Sequence, residues 1–303
     1  MDISVVLGSY NQVDKLEKVI DGYKNQQATC SYELIVMDSL STDGSQDMLA
    51  RVEKEKGAFD FKYVSQRNSG KAEARNRGVD MAQGDIVIIT DADMIPAEGF
   101  VQAHYSAHKR YGKCCCFEGL AHNLTSYDWP PNLKDATPQV PRKYASGAKL
   151  SWYYFLTGNI SFPKSIFKLE NGFSLDFTNY GWEDLELGYR FYKRRVPFYY
   201  LKDAVNYHYH IVDDGDIVER KYHMGQSAQI FLNKHPELKW FLGMNPISVF
   251  IRKNLSKKSA IYKFIDRLKT AKNIYVRKFS VWFLSEYNYL SGILNLKKGD
   301  GIP

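Results

Sequence analysis

Two carboxylates, Asp91 and Asp93, stand two residues apart directly after an apolar, mostly β-branched run at residues 86–89. Such a run suits a strand that is buried on both faces, as in a parallel sheet. In open α/β sheets, ligands bind in the crevice outside the carboxyl ends of the strands. Two carboxylates there suit a hard divalent cation whose open positions take phosphate oxygens. The alternative is a loop cap, since aspartate is common wherever a strand ends in a turn.

Asp38 stands at the end of an earlier apolar strand, residues 32–37. Aspartates at two adjacent strand ends suit a nucleotide site, where one carboxylate accepts a hydrogen bond from a base and the other serves the metal. The alternative is that Asp38, with Ser41 and Asp43, caps the next helix.

Lys71 and Arg75 lie four residues apart on a predicted helix that is entered through Gly70. They therefore share one face of that helix. Both side chains could bind a diphosphate, together with the amide groups of the helix N-terminus. The alternative is an ordinary solvated basic face.

Glu183 and Asp184 occupy the first turn of a predicted helix after a glycine turn, where the helix dipole favours ionised carboxylates. A transfer reaction that activates a hydroxyl needs one carboxylate as general base, and the alternative is helix capping. His208 and His210 lie just beyond a strand, where alternate residues share a face. Either could supply a nitrogen ligand to the cation, and the alternative is a structural role.

The elements that must position these side chains alternate along the first 95 residues. Strands are predicted at 3–7, 32–37, 61–65 and 86–89, and helices at 13–27, 46–56 and 70–82. This order predicts a mainly parallel sheet with helices on both faces. Further strands are predicted at 114–120 and 197–202, with a proline-rich loop at 122–148 that is either functional or disordered. Trp129 in that loop could stack on a sugar ring or act as a hydrophobic plug.

Length, net charge and cysteine content limit the classes of protein to which this chain can belong. The 303 residues suffice for one large domain or two smaller ones, and the formal net charge of +7 favours anionic partners. The four cysteines include an adjacent run at 114–116, which predicts free, buried thiols in a reducing compartment. The first residues predict a strand rather than a signal peptide, and no segment reaches the ~20 apolar residues of a membrane span. We therefore expect a cytosolic or membrane-surface protein.

Five motifs in order resemble an inverting GT-A glycosyltransferase of family 2. They are Ser9-Tyr-Asn, Val36-Met-Asp38-Ser-Leu-Ser-Thr-Asp43, Asn68-Ser-Gly-Lys71-Ala-Glu-Ala-Arg75, Asp91-Ala-Asp93 and Trp182-Glu-Asp184. The stretches Gly158-Asn-Ile-Ser-Phe-Pro and Gly181-Trp-Glu-Asp-Leu-Glu-Leu-Gly-Tyr-Arg190 resemble the carboxyl-terminal half of galactosyl- and N-acetylgalactosaminyltransferases, a half that bacterial chondroitin-polymerase-type enzymes share. The resemblance covers roughly residues 1–215. Two departures weaken only the base contacts: Gly8 replaces the usual proline, and Ser39 replaces a second acidic residue.

The resemblance implies a GT-A fold, an α/β domain with a mainly parallel central sheet, followed by a helical extension. It implies a nucleotide-sugar-binding half at 1–120, an acceptor-binding and catalytic half at 121–235, and a basic, aromatic extension at 236–303. The site residues that it implies fall into three groups. Leu7, Ser9, Asp38, Lys71, Arg75, Asp91 and Ala92 would bind the UDP-sugar; Asp93, Asp91 and His208 would bind Mn²⁺ or Mg²⁺; Asp184 would be the base, with Glu183 beside it.

The implied reaction is an inverting, metal-dependent transfer of a sugar from a UDP-sugar to a hydroxyl of a glycan or lipid-linked acceptor. One rival is a nucleotidyltransferase, which normally carries a basic, glycine-rich loop directly after the first strand; residues 8–11 contain no Lys or Arg. A second is a non-catalytic scaffold that acts through its basic tail, against which Asp91, Asp93 and Asp184 argue. Nucleic-acid binding is a third, but no recognised module accompanies the charge.

The C-terminal tail, residues 250–296, differs from the rest of the chain in charge and aromatic content. Ten Lys or Arg residues and one acid, Asp266, lie between Arg252 and Lys278, and an aromatic-apolar stretch follows. Residues 250–296 could dock on an anionic membrane surface, with Trp282, Phe283, Tyr287 and Tyr289 at the level of the headgroups. The alternative is a helical cap that packs on the catalytic domain and exposes a solvated basic side. A membrane partner would place the protein at the cytoplasmic face.

Overall fold

A computed structural model describes residues 1–55, 59–112, 114–134, 136–141, 143–178, 180–211 and 214–294. The chain divides into two compact units. The first consists of Met1–Leu175 and Asp184–Ile211, and the second consists of Asp176–Glu183 with the described part of Val212–Pro303.

Within the described residues, the first unit is built on one ten-stranded sheet. Its strands in chain order are β1 (Ile3–Ser9), β2 (Tyr32–Asp38), β3 (Asp60–Ser65), β4 (Ile86–Asp91), β5 (Met94–Pro96), β6 (Cys116–Asn123), β7 (Thr137–Pro138), β8 (Lys149–Leu150), β9 (Ile160–Pro163) and β10 (Phe198–His208). Eight of them follow the order β3-β2-β1-β4-β9-β6-β10-β5, while β7 pairs with β6 and β8 pairs with β10.

Strands β3, β2, β1 and β4 are parallel, as the alternating sequence pattern predicts. The three inner ones are apolar on both faces, and Val5, Leu34 and Ile88 are fully buried. Their carboxyl ends meet at one edge because β1 pairs in register with both neighbours, so that Gly8 lies opposite Met37 and Asp91. The aspartates that end β2 and β4 therefore reach the same edge of the sheet.

The second half of the sheet is mixed rather than parallel. Strand β9 runs antiparallel to both β4 and β6, and β5 runs antiparallel to β10, whereas β6 and β10 are parallel. The β-α-β alternation of the first 95 residues gives no information on these strands, since their pairing joins segments far apart in the chain. Of the predicted 122–148 loop, residues 122–123 continue β6 and Thr137–Pro138 form β7, while residues 135 and 142 lie outside the described part.

Helices flank the sheet in the first unit and dominate the second. Those of the described residues are α1 (Val13–Lys24), α2 (Ser45–Lys54), α3 (Lys71–Met81), α4 (Phe100–Tyr111), α5 (Lys164–Leu169), α6 (Glu183–Lys193), α7 (Asp214–Lys234), α8 (Pro246–Asn254), α9 (Ala260–Arg267) and α10 (Ile274–Ile293). The helix predicted to reach residue 56 is described only to Lys54, and residue 56 itself lies outside the described part.

Helix α3 approaches the sheet closely, and a glycine permits this. A Cβ on Gly78 would collide with Cγ1 of Val6, so only glycine lets the helix pack at that distance from β1. Helix α3 begins with Lys71, and Arg75 follows one turn later on the same face. Because α3 runs from the end of β3 to the start of β4, this first turn lies at the carboxyl edge of the sheet.

All four cysteines are free thiols, as predicted. Cys30, Cys115 and Cys116 are buried, but Cys114 is exposed, so the expectation of burial is wrong for that residue. The strand predicted at 114–120 begins only at Cys116, which leaves Cys114 in the turn before it.

The second unit is held together by the crossing of α7 and α10. A Cβ on Gly225 would collide with the carbonyl oxygen of Tyr289, and a Cβ on Gly292 would collide with that of Tyr222. The amide of Asn288 also donates to the carbonyl oxygen of Val218 over 3.0 Å. Two glycines therefore bring the two helix backbones into contact.

The interior of the second unit contains two aromatic residues that were predicted to lie at a membrane surface. Tyr287 and Tyr289 are 3% and 7% exposed, and their hydroxyls donate to the carbonyl oxygens of Leu255 and Leu242. The prediction is wrong for both residues, because segments distant in sequence cover them, whereas Trp282 is exposed. Within the described residues, no helix is both long enough and apolar enough to cross a bilayer. Residues 295–303, the end of the predicted extension, lie outside the described part.

Candidate active site

A cavity of about 290 Å³ opens at the carboxyl edge of the sheet, between the end of β1, the turn after β4 and the start of α3. Its lining combines strand-end backbone with two cations and two carboxylates, and six predicted site residues belong to it. The lining residues are Gly8, Ser9, Tyr10, Gln12, Ser39, Asn68, Gly70, Lys71, Ala74, Arg75, Asp91, Ala92 and Asp93. The position and the charges of this cavity suit an anionic nucleotide.

Two larger cavities, of about 760 and 540 Å³, lie elsewhere on the first unit. The larger one lies between β8 and the end of α6 and has no acidic residue in its lining. The other has a single carboxylate, that of Asp203. Neither combines paired carboxylates with cations, so the site is assigned on chemistry rather than on volume.

Arg75 and Asp91 form an ion pair at the wall of the cavity. Nη2 of Arg75, whose side chain is almost fully buried, lies 2.9 Å from Oδ1 of Asp91, and Nζ of Lys71 lies 4.0 Å from the same oxygen. Burial raises the pKa of Asp91, but the charges of Lys71 and Arg75 outweigh this and hold it below its ordinary value. The guanidinium of Arg75 also lies over the ring of Phe173, 5.6 Å from its centroid. Asp91 is therefore an ionised group oriented by cations.

Asp93 is brought beside His208 by the short strand β5. Antiparallel pairing places His208 opposite Met94, and the backbone amide of Tyr209 donates to the carbonyl oxygen of Asp93 over 2.7 Å. As a result, Nε2 of His208 lies 3.7 Å from Oδ2 of Asp93. The two side chains come from positions 115 residues apart in the sequence (208 − 93) and meet because of this register.

The two histidines have different partners. Nδ1 of His208 lies 3.0 Å from the amide oxygen of Asn123. Since that oxygen can only accept, Nδ1 carries the proton, and the neutral ring then presents the Nε2 lone pair on the side of Asp93. Nδ1 of His210 instead lies 2.8 Å from Nζ of Lys15. This geometry favours His208 over His210 as a metal ligand.

The residues present fit a divalent cation in part. A carboxylate oxygen and an imidazole nitrogen 3.7 Å apart are a donor set that Mn²⁺ accepts. In the part of the chain that the structure describes, no group of three or more His, Cys, Asp or Glu side chains is arranged to hold a metal ion. Protein ligands alone would thus leave several positions open, as sites that bind a metal with substrate phosphates do.

Asp38 is fully buried at the end of β2 and does not line the cavity. Its oxygens accept hydrogen bonds from the amide and the hydroxyl of Ser41, at 3.0 and 2.5 Å. These are the contacts of the capping alternative, although its neighbour Ser39 does reach the cavity. Leu7 is likewise buried within β1. The roles of Asp38 and Leu7 in base binding stay predictions.

Helix α6 begins with the predicted catalytic pair. The turn before it includes Gly181 and Trp182 at φ of +88° and +75°, and the positive angle at the tryptophan is a costly conformation for that residue. Asp184 is half-buried in the first unit, where its Oδ1 accepts from the amide of Leu185 over 2.8 Å. Glu183 is buried and belongs to the second unit. Their catalytic roles stay predictions.

A second carboxyl group, that of Glu118, interacts electrostatically with Asp184, and no motif in the sequence pointed to it. Glu118 on β6 is 1% exposed, and its Oε2 accepts from the amide of Leu156 over 3.2 Å. Its Oε1 has no hydrogen-bond partner among the described residues. Burial raises the pKa of Glu118 well above its ordinary value, and the negative charge of Asp184 raises it further. Burial and the charge of Asp184 therefore both favour the protonated form of Glu118.

The motif Gly158-Asn159 supports the strand that carries the aspartates. The carbonyl oxygen of Gly158 accepts from the hydroxyl of Thr90 and from the amide of Asn206, at 3.1 and 2.7 Å. The amide of Asn159 donates to Oδ1 of Asn206 over 3.0 Å, and its oxygen lies 3.0 Å from Nε2 of buried His104. This buried network ties α4, β9 and β10 to the residue that precedes Asp91.

Comparison with known families gives this arrangement a context. The profile of glycosyl transferase family 2 matches residues 4–168, which is more than half of the chain. The chain belongs to glycosyl transferase family 2. A second profile, described as the N-terminal domain of galactosyltransferase, matches residues 142–214. Both predicted resemblances are therefore confirmed, and the chain is a transferase.

Relatives of this family 2 chain include a glucosyltransferase and a chondroitin synthase. Validoxylamine A glucosyltransferase of Streptomyces hygroscopicus subsp. jinggangensis is 26% identical over 223 residues, covering 64% of this chain and 52% of that protein. Chondroitin synthase of Escherichia coli is 26% identical over 239 residues, covering 68% of this chain and 34% of that protein. The chain thus spans about half of the first relative and about a third of the second.

Solved structures share the fold. TarS 1-349 of S. aureus in complex with UDP superposes with a TM-score of 0.58 at 15% identity, covering 99% of this chain and 92% of that one. The mannosyltransferase PcManGT of Pyrobaculum calidifontis, in complex with GDP-Man and Mn²⁺, gives a TM-score of 0.60 at 17% identity, covering 98% and 88%. The predicted GT-A fold is confirmed.

Proposed function

We propose that this family 2 enzyme transfers a sugar from a UDP-sugar to a hydroxyl of a glycan or lipid-linked acceptor, with inversion and with the help of a divalent cation. The observation that carries the proposal is the cavity where Lys71, Arg75, Asp91 and Asp93 meet at the carboxyl edge of the sheet. Cations and carboxylates at one strand edge are what a nucleoside diphosphate and its metal need.

In this proposal the cavity binds the nucleotide part of the donor. The strand end at Ser9 and the first turn of α3 supply backbone groups, and Lys71 and Arg75 supply positive charge for the diphosphate. Asp91 lies between these cations and the ribose side, with Ala92 beside it. Leu7 and Asp38 contribute through the strand ends behind the cavity.

Asp93 and His208 would hold the cation, with Mn²⁺ preferred to Mg²⁺ because one ligand is a nitrogen. Asp91 faces the same site but pairs with Arg75. We therefore assign it first to balancing the charge of that cation, and only second to binding the metal. When bound, the cation acts as a Lewis acid that stabilises the negative charge developing on the leaving UDP. Asn123 keeps His208 in the tautomer that ligation requires.

Asp184 would act as the general base. Its carboxylate takes the proton of the acceptor hydroxyl while that oxygen forms a bond to the anomeric carbon. The bond from this carbon to the phosphate oxygen breaks on the opposite face, and UDP departs with the electron pair. A single displacement of this kind inverts the anomeric centre and needs no covalent intermediate. Glu183, its chain neighbour, would contact the sugar or the acceptor.

Named relatives support the choice of donor and metal. The TarS structure contains UDP, the PcManGT structure contains GDP-Man and Mn²⁺, and chondroitin synthase is a glycan-building enzyme by name. We extend the UDP-type donor, the metal and a polysaccharide acceptor to this chain as parts of the proposal. An anionic membrane surface at the cytoplasmic face, reached through residues 250–296, is the partner that we propose for a lipid-linked acceptor.

The test is product analysis with purified protein, Mn²⁺ and a panel of UDP-sugars with and without acceptor glycans. We expect UDP release with at least one donor, and loss of that release when the metal is chelated. Release of pyrophosphate from a nucleoside triphosphate and a sugar phosphate would instead identify a nucleotidyltransferase. Absence of both products, with no donor binding by calorimetry, would contradict catalysis.

A further inference from the structure

The last three helices of the second unit each carry an exposed apolar stripe. On α8 the stripe consists of Ile247, Phe250 and Ile251, which follow the i, i+3, i+4 spacing of one helix face. Phe250 is 67% exposed, although it is a large apolar residue that folding would be expected to bury. Such a face is left without an apolar partner within the described residues.

Helices α9 and α10 repeat the pattern. Ile261 and Phe264 are exposed on α9, and Tyr275, Phe279 and Trp282 are exposed at i, i+4 and i+7 on α10. The 80% exposure of Tyr275 and the 60% exposure of Trp282 show that these rings are not part of the core. Several large apolar side chains exposed on neighbouring segments of one unit are typical of an interaction site.

The inner sides of the same helices are fully engaged. Arg252 of α8 is buried, with its guanidinium 4.1 Å from the centroid of the Tyr287 ring. The hydroxyl of Ser280 on α10 donates to the carbonyl oxygen of Ile265 over 2.6 Å. The three stripes therefore belong to packed helices with a defined inside and outside, not to a collapsed tail.

Positive charge surrounds the stripes. Between Arg252 and Lys278 the chain has ten basic residues and one acid, a net of +9 (10 − 1), whereas the whole chain has +7. The single acid, Asp266, is paired with Lys269 over 2.8 Å. The exposed basic residues are Lys253, Lys258, Lys263, Arg267, Lys269, Lys272, Arg277 and Lys278. The surface is therefore both apolar and cationic.

The combination of exposed apolar and exposed basic side chains indicates which kind of partner fits this surface. A second copy of the chain on the same face would bring two strongly basic surfaces together, which charge repulsion opposes. A nucleic acid would satisfy the charge but not the aliphatic residues Ile247 and Ile261. Helices with basic side chains and exposed Trp, Phe and Ile residues lie in the interface of anionic bilayers, where lipid satisfies both properties.

We propose that the outer faces of α8, α9 and the first half of α10 form one docking surface for an anionic lipid bilayer. The apolar stripes enter the headgroup region, and the lysines and arginines contact lipid phosphates. This extends the membrane partner proposed above and identifies its contact residues. It excludes Tyr287 and Tyr289, which are interior.

The experiment is co-sedimentation of the full chain with vesicles of pure phosphatidylcholine and of a 7:3 mixture with phosphatidylglycerol. We expect binding to the anionic vesicles at low salt and much weaker binding to the neutral ones. Each basic residue near the surface contributes about 1 kcal/mol, so Lys263→Ala with Lys278→Ala should lower partitioning about 25-fold. The matched control is Lys54→Ala with Lys109→Ala, two exposed lysines of the first unit, which should change it little.

The apolar half of the surface is tested separately. Phe250→Ser with Phe264→Ser should weaken binding even at low salt, and Leu169→Ser with Leu175→Ser, exposed residues of the first unit, should not. The proposal is overturned if the Phe250/Phe264 variant and the Leu169/Leu175 variant lose vesicle binding equally. It is also overturned if the full chain does not bind vesicles. Concentration-dependent self-association that the Phe250 and Phe264 changes abolish while vesicles are ignored overturns it as well. Since sedimentation uses no donor, failure here leaves the UDP-release result unaffected.

Discussion

Nε2 of His208 lies 3.7 Å from Oδ2 of Asp93, and the antiparallel pairing of β5 with β10 sets this distance. The imidazole has its other nitrogen engaged by Asn123, whereas His210 has its Nδ1 engaged by Lys15. One histidine of the pair is thus available on the side of the carboxylate. This relationship leads directly to a ranking of the metal ligands.

Replacing His208 with alanine should weaken Mn²⁺ affinity more than replacing His210, because Nε2 of His208 lies 3.7 Å from Asp93 whereas Nδ1 of His210 lies against Lys15. Asp93→Ala should abolish metal-dependent UDP binding. Asn123→Ala should lower metal affinity about 10–100-fold, as loss of a partner that orients a ligand usually does. Titration calorimetry with Mn²⁺ and UDP measures all three, and the opposite ranking of the histidines would transfer the ligand role to His210.

Asp184→Asn keeps the shape of the side chain and removes its ability to take a proton. Transfer should fall by about 10²–10⁴-fold, the usual contribution of a general base, while binding of the UDP-sugar survives. Turnover and donor affinity are measured on the same preparation. Glu118→Gln is the matched control, since Glu118 is already neutral and its amide should preserve activity. Near-native turnover of the Asp184 variant would contradict its role.

Arg75→Gln removes the cation that lies 2.9 Å from Asp91. Hydrogen bonds between charged groups contribute about 1.5–3 kcal/mol, so UDP affinity should fall on the order of 10–100-fold. Lys71→Gln, at a longer distance and more exposed, should have the smaller effect. Calorimetry in the presence of Mn²⁺ measures both, and a larger effect at Lys71 would show that the exposed lysine carries the diphosphate.

Two buried histidines should make folding stability depend on pH. Burial lowers the pKa of His104 to about 4 and of His108 to about 3, where the neighbouring His104 adds to the effect. Since both values lie below the ordinary 6.5, the unfolded chain binds protons first, and stability falls as pH decreases below 6.5. At pH 5 the loss is about 2 kcal/mol for each histidine.

Thermal unfolding measured from pH 7 to pH 5 reports the contribution of the two histidines as a difference between the wild type and variants that lack one of them. The raised pKa of Glu118 has the opposite effect on folding stability. Above the ordinary pKa of a glutamate, the unfolded chain has lost this proton while the folded chain keeps it, so this group stabilises the folded state as pH decreases. The wild type is therefore compared with His104→Gln and His108→Gln, in which the decrease should be shallower. Parallel curves for all variants would refute the assignment.

The sequence predicted the strands that carry Asp38 and Asp91 because a buried parallel strand is a continuous apolar run, which is a local signal. It could not predict from the residues alone that His208 would meet Asp93, since that depends on the long-range register of β5 with β10. Asn123 was not predicted either, because it lay inside the predicted 122–148 loop and only the structure extends β6 to it. Glu118 could not be predicted, because only the surrounding packing distinguishes a buried neutral acid from a surface one.

The same reasoning explains the error at Tyr287 and Tyr289. Composition marked the stretch as aromatic, but the orientation of a helix is decided by what packs on it. Here the carbonyl oxygens of Leu255 and Leu242 take the two hydroxyls. Trp282 lies five residues before Tyr287, more than one turn away, and its side chain is outside.

The Gly225–Gly292 crossing makes the inside of the second unit intolerant of substitution in a way that its outside is not. In a saturation library selected only for protease resistance, both positions should keep glycine, since any larger residue must separate two helix backbones. Phe250 and Phe264, by contrast, should accept polar residues under that selection. What the helices dock on can therefore change during evolution, or by engineering, without rebuilding the scaffold that presents them.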